Sequence, residues 1–299
     1  MTEKNLRRWA KPMLLSAAMI WGTSFVVMKS SLEVFPMYLL LTVRFGLGAV
    51  LLSLLCRKHW RSFSWDMLWR GAIVGALLTA AYVVQSYGLM RSTPSKNAFL
   101  TAFYSILVPF FCWAVVGRKP DRWNLLAAVL GVSGVGLVSL SEQLTVQSGD
   151  CLTLLSAVFF AAHITAVQKL SPGKDIYLLT IFQFAFSALY CALGSLAEGT
   201  PMPALTGSDW LSLLYLAVFA TTIALLFQNV GQVYSNPSTA ALLLSLESVF
   251  GTLCGVLFYG DPLTLRLLCG FCVIFLAVLC SETKFAFLRH TGKGKERHA

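Results

Sequence analysis

Ten apolar runs of 17 to 21 residues follow one another along the chain, at 13–29, 37–56, 71–90, 97–116, 124–140, 151–169, 177–196, 210–230, 239–259 and 264–281. A helix needs about 20 such residues to cross the hydrocarbon core of a bilayer. Breakers close the runs: Pro36, Thr93-Pro94-Ser95, Lys119-Pro120-Asp121, Ser171-Pro172-Gly173, Pro201 to Pro203, Asn236-Pro237 and Asp261-Pro262. Lipid offers no partner to a backbone amide, so each run must satisfy its own hydrogen bonds as a helix. The expected fold is therefore an all-α polytopic membrane protein with ten transmembrane helices, short loops and no large soluble domain.

Composition agrees with lipid as the solvent. Apolar residues make up 57% of the chain and charged residues 12%, too few charges to cover the surface of a soluble fold of this size. The net charge of +10 does not point to nucleic acid, because Lys and Arg sit in the short segments between runs, where topology signals belong. Seven of the eight cysteines lie inside apolar runs and read as small packing residues. Cys269 and Cys272 form a C-x-x-C, but in an apolar helix with no third ligand nearby, so neither a metal nor another cofactor is expected.

Orientation follows the cationic bias. With the N-terminus in the cytoplasm, 18 Lys and Arg face that side and four (Lys29, Arg91, Lys96 and Arg266) face the other, with Arg44 inside a span. Residues 1–12 then form a basic cytoplasmic segment before an uncleaved first span, and 284–299 a basic cytoplasmic tail.

The two halves resemble each other. Leu14-Leu15-Ser16-Ala17 recurs as Leu154-Leu155-Ser156-Ala157, Lys29 aligns with Lys169, and after a one-residue slip Tyr38-Leu39-Leu40 matches Tyr177-Leu178-Leu179. At an offset of 143, Gln85, Gly88, Ser92, Pro94 and Ser105 match Gln228, Gly231, Ser235, Pro237 and Ser248. Each half, 13–140 and 151–283, carries five spans, and an odd number makes the second half enter from the opposite side. Two inverted five-helix repeats have two near-equal packings that face opposite sides of the membrane, the arrangement of many secondary carriers, with the site near mid-depth.

On these features the sequence resembles the EamA-type branch of the drug/metabolite transporter superfamily. The likeness rests on Trp21-Gly22 in span one, Arg44 in span two, Pro109 in span four, and Ser245-Leu246-Glu247-Ser248-Val249-Phe250 followed by Leu257-Phe258-Tyr259-Gly260-Asp261-Pro262-Leu263. Ser248 stands where the family often has Pro, and Asp261 where it often has Glu. The resemblance implies a ten-helix secondary carrier of the bacterial inner membrane. It implies a central cavity lined mainly by spans one, three, four, six, eight and nine, and a homodimer surface on spans five and ten.

Polar groups inside hydrocarbon are costly and mark functional positions. Glu247 is the only carboxylate deep within a span; it is expected to hold a cationic substrate group or to couple transport to a proton. His163, mid-span in the sixth helix, is the second proton-coupling candidate. Trp21, Tyr82 and Tyr104 supply aromatic and cation–π surface. Gln85, Gln228 and Asn229 offer amides to a zwitterion. Arg44, whose repeat counterpart is Gln183, is read as a structural intramembrane charge. Gly71-x-x-x-Gly75 and Gly251-x-x-x-Gly255 serve close helix packing.

The expected function is export of amino acids or related small metabolites by alternating access, with a small-molecule substrate and the lipid bilayer as partners. Efflux of amphipathic drugs and metabolite uptake are the alternatives; a sensor or lipid scramblase is more remote. No Walker motif, H-E-x-x-H or acidic metal cluster is present, so neither ATP-driven pumping by this chain nor an enzyme is expected.

Overall fold

A computed structural model describes residues 3–117, 119–139, 147–199, 201, 203–235 and 237–284. Arg118 and the basic residues of the tail beyond 284 lie outside the described residues. The described chain is all-helical: α1 (Glu3–Val34), α2 (Met37–Leu55), α3 (Asp66–Met90), α4 (Pro94–Thr101), α5 (Tyr104–Val116), α6 (Arg122–Ser139), α7 (Ser148–Leu170), α8 (Ile176–Glu198), α9 (Gly207–Tyr215), α10 (Ala224–Tyr234), α11 (Pro237–Cys254) and α12 (Leu265–Thr283). Nine described stretches are long and apolar enough to cross a membrane, α4 with α5 and α9 with α10 each counting as one. The tenth, within α11 and the wide turn after it, appears as the shorter apolar stretch Leu243–Tyr259.

Local chemistry sets the ends. Thr93 caps α4 with Pro94 in its first turn, and the Asp175 side chain accepts from the backbone N–H of Tyr177 (2.9 Å) and Leu178 (3.3 Å) to start α8. Thr206 and Asp209 close a reciprocal capping box on α9. The basic segment before residue 13 is helical from Glu3 and continues through Pro12 into the first span. At about 1.5 Å per residue the 32 residues of α1 exceed the hydrocarbon thickness, so its first turns project beyond it.

Three spans depart from a uniform helix, span nine through the π-helical turn Gly255–Tyr259 after α11. Span four narrows between α4 and α5, where Phe103, Ser105 and Ile106 donate to Leu100, Ala102 and Phe103, three residues back. Span eight widens into a π-helix over Leu216–Ile223. There the hydroxyls of Thr221 and Thr222 donate to the carbonyls of Leu216 (2.9 Å) and Ala217 (2.8 Å), five residues back. The irregularities of spans four and eight were not legible in the sequence, which reads as unbroken apolar runs at both places.

The inverted repeat is visible in the packing. Gly88 of α3 lies so close to α7 that a Cβ would meet the Gly149 carbonyl at 2.9 Å, and Gly231 of α10 so close to α1 that a Cβ would meet the Ala10 carbonyl at 3.2 Å. The two glycines are repeat counterparts, and so are the helices that they touch. Around this pair α2 packs on α8, α1 on α11, and α6 on α12. Spans five and ten thus cover each other within the protomer, while Leu125, Val129 and Val132 of α6 and Leu265, Leu268 and Leu276 of α12 remain exposed.

The end opposite the N-terminus is tied across elements. Lys29 Nζ donates to the carbonyls of Leu89 (2.8 Å), Met90 (3.0 Å) and Ser92 (3.1 Å), beside the C-terminus of α3. Asp261 accepts from the Ser95 N–H at 2.8 Å, and Asp150 pairs with Lys96 at 3.3 Å and accepts from Ser92 Oγ at 2.8 Å. Lys169, the counterpart of Lys29, is exposed at the other end and makes no described hydrogen bond or ion pair.

Candidate functional site

A cavity of about 690 Å³, counted out to its opening, lies between the repeats. Its wall draws on α1, α2, α3, α4, α5, α7, α10 and α11. The irregular turns shape it. The narrowing of span four ends α4 at Thr101 and begins α5 at Tyr104, and both side chains face the cavity. The π-turn of span eight turns the Ala220 carbonyl toward α1, where Trp21 Nε1 donates to it at 2.8 Å. π-Turns of this kind cluster at functional sites because they free backbone groups for other partners.

Trp21, Tyr82, Gln85, Tyr104, His163, Gln228 and Glu247 all line this one space. Asn229 does not: its amide donates to Thr180 Oγ1 of α8 at 2.7 Å, because neighbours on a helix point about 100° apart. Gln85 donates to Thr101 Oγ1 at 3.0 Å, bracing α3 against α4. Tyr82 packs edge-on against Phe45 (5.3 Å between centroids) and Phe160 (5.4 Å), and Phe160 lies 6.3 Å from Tyr104, so an aromatic wall lines one side. His163 Nε2 meets Gln183 Oε1 at 3.2 Å.

Glu247 is 4% exposed, and its Oε1 has no hydrogen-bond partner among the described residues. The Tyr104 hydroxyl stands beside its carboxyl. A buried acid with one unpartnered oxygen, on a residue that borders the cavity, can take a proton or the cationic group of a solute.

Arg44 is the intramembrane charge that the sequence reading set apart from the cavity residues. It also lines the cavity, at 2% exposure. Its Nε donates to Thr221 Oγ1 at 2.5 Å, its Nη1 reaches Met28 Sδ at 3.5 Å, and its guanidinium carbon lies 4.8 Å from the Tyr82 ring centroid. It does not pair with Glu247. The signal in the sequence was Thr221, a hydroxyl that a purely apolar span does not need.

A cavity at the junction of two inverted five-helix repeats is the arrangement found in many membrane carriers. The EamA-like transporter family matches the chain twice, over residues 8–140 and 147–283, and the chain belongs to that family. It is 30% identical over 273 residues to an uncharacterized transporter of Archaeoglobus fulgidus, covering 91% of this chain and 85% of that one. It is 23% identical over 290 residues to the uncharacterized inner membrane transporter YedA of Escherichia coli, with 92% and 91% covered. With the pseudopaline exporter CntI of Pseudomonas aeruginosa it shares 24% identity over 275 residues, with 90% and 94% covered.

Proposed function

We propose that this transporter exports amino acids or closely related small metabolites across the bacterial inner membrane by alternating access. The observation that carries the reading is the cavity itself, which sets one acid, Glu247, and one guanidinium, Arg44, among aromatic and amide side chains. Such a wall suits a small solute with both an amine and an acid group better than a polyanion. CntI, an exporter by name, supports the outward direction, and YedA supports the inner membrane. The cationic bias supports a cytoplasmic position for both termini. Glu247 is the coupling acid in this reading, with His163 the second candidate, and the exposed apolar faces of α6 and α12 are the surface of a homodimer.

The aromatic wall of Tyr82, Phe160 and Tyr104 favours a second reading, efflux of amphipathic cations. Purified protein in proteoliposomes, given radiolabelled amino acids with and without a pH gradient, separates the two. Saturable amino-acid flux supports the first reading. Flux of lipophilic cations alone supports the second.

A further inference from the structure

We infer that Arg44 is a seat for the carboxylate of the transported solute. The inference rests on the carrier reading and narrows its substrate class to solutes that bear a carboxylate.

An arginine keeps its charge in any protein environment and offers five N–H donors in a fixed plane. In the interior such a charge is normally paired with an acid. Among the described residues no carboxylate lies within 4.0 Å of Arg44. The described ion pairs sit instead near the helix ends and loops, at His59–Asp175, Arg70–Asp66, Lys174–Asp66, Lys96–Asp150 and Lys284–Asp121. The described partners of Arg44 are the Thr221 hydroxyl, the Met28 thioether and the Tyr82 side chain, through its ring face and its hydroxyl. None carries a formal negative charge, and a thioether is a weak acceptor.

The same contacts fix its aim. Thr221 is held by its own bond to the Leu216 carbonyl at 2.9 Å. Tyr82 is wedged between Phe45 and Phe160. The guanidinium is thus pinned at Nε and on one face while it borders the cavity. A planar fork held this way matches a carboxylate. The seat is one-sided: Gln183, the repeat counterpart, is neutral and is engaged with His163 at 3.2 Å. A single guanidinium suits a singly charged carboxylate better than a phosphate dianion.

The test uses the reconstituted full-length chain, wild type and with Arg44→Gln or Arg44→Lys. The probes are radiolabelled L-amino acids, each competed by its carboxamide and by its decarboxylated amine. Wild type should prefer the acid by about 10- to 100-fold, the ratio a charge-assisted contact supports. Arg44→Gln should lose that preference while still moving the amide or amine, which a merely structural role for Arg44 would not produce; Arg44→Lys should restore part of it. Equal competition by acid and amide in wild type, or a preference that survives in Arg44→Gln, overturns the inference. If wild type carries only amines, the carrier reading stands and the carboxylate seat falls.

If no probe moves, thermal stabilisation of the detergent-solubilised protein decides separately. Stabilisation of wild type but not Arg44→Gln by amino acids, and not by their amides, upholds the seat even though the flux reading has failed. Stabilisation by chloride alone assigns Arg44 an inorganic counter-ion and overturns it.

Discussion

Tyr104 and Glu247 stand 143 positions apart, at the same place in their respective repeats, and meet side by side in the cavity. The pseudo-symmetry has brought the two copies of one position together and filled one with an acid and the other with a phenol. Glu247→Gln keeps the shape and removes the charge. Flux is expected to fall by about tenfold or more, in line with the loss of a charge-assisted contact. The remaining flux should be flat across about pH 6 to 8, where a coupling group is expected to titrate. Flux that keeps its rate and its pH response in Glu247→Gln, measured in proteoliposomes, would falsify the coupling role.

His163 and Gln183 form a buried pair at 3.2 Å. Gln183→Leu removes the partner of a buried ring nitrogen and is expected to cost about 1–3 kcal/mol, read as a lower midpoint of thermal unfolding in detergent. His163→Gln keeps a hydrogen-bonding group there. It should leave accumulation driven by a pH gradient in place, which assigns coupling to Glu247 rather than to the imidazole. Accumulation lost in His163→Gln and kept in Glu247→Gln would reverse that assignment.

Lys29 holds three carbonyls beside the end of α3, one of them on Leu89, a residue of the cavity wall. Lys29→Ala should loosen that end. A cysteine placed at position 89 in a cysteine-free background should then react several-fold faster with an impermeant maleimide added on the side of the membrane that this end faces. Equal labelling rates with and without Lys29 would show that these bonds do not hold the end shut.

Gly88 and Gly231 admit close helix crossings at equivalent places. Valine at either position should overpack its crossing, at about 1–3 kcal/mol, and lower the thermal midpoint in detergent. Alanine at the exposed Val129 is the control. No change at either glycine would mean that the helices separate there without cost.

Asp121 joins a helix start to a helix end. Its Oδ1 accepts from the backbone N–H of Trp123 (3.0 Å) and Asn124 (3.1 Å) at the start of α6, while Oδ2 pairs with Lys284 after α12. Partial burial pushes its carboxyl upward, but Lys284 and these N–H groups together hold it below the usual carboxylate range. A depressed carboxyl stabilises the fold above its ordinary titration range and loses that contribution as pH falls through its lower folded value. Asp121→Ala should therefore cost about 1 kcal/mol at neutral pH and progressively less in acid. Asp121→Asn should fall between wild type and alanine, since an amide oxygen still caps but no longer pairs with Lys284. A neutral-pH penalty as large for Asn as for Ala would contradict this.

Much of this architecture was legible because lipid imposes a length and a polarity on every span. The ten runs, their breakers and the repeat with offsets near 140 could be read directly, and seven of the eight residues expected in the cavity line it. Asn229 could not be told from Gln228, since helix phase at a polar pair depends on which neighbour arrives, and α8 brings Thr180. Arg44 reads as structural because its repeat counterpart, Gln183, cannot hold a charge. What places it at the cavity is the π-turn of another span, and hydropathy does not register one extra residue per turn.

The unequal fates of Lys29 and Lys169 bear on which way the proposed carrier rests. Matching positions carry the same cation, yet one is fastened to carbonyls and the other stands in solvent. In the proposed alternating access, the opposite facing would exchange which lysine is fastened. The free-energy gap between the two facings is then a difference between like quantities rather than the strength of either. About 1.4 kcal/mol is enough to change such a ratio tenfold, so a single methyl or hydroxyl near either lysine can set the resting orientation of the carrier.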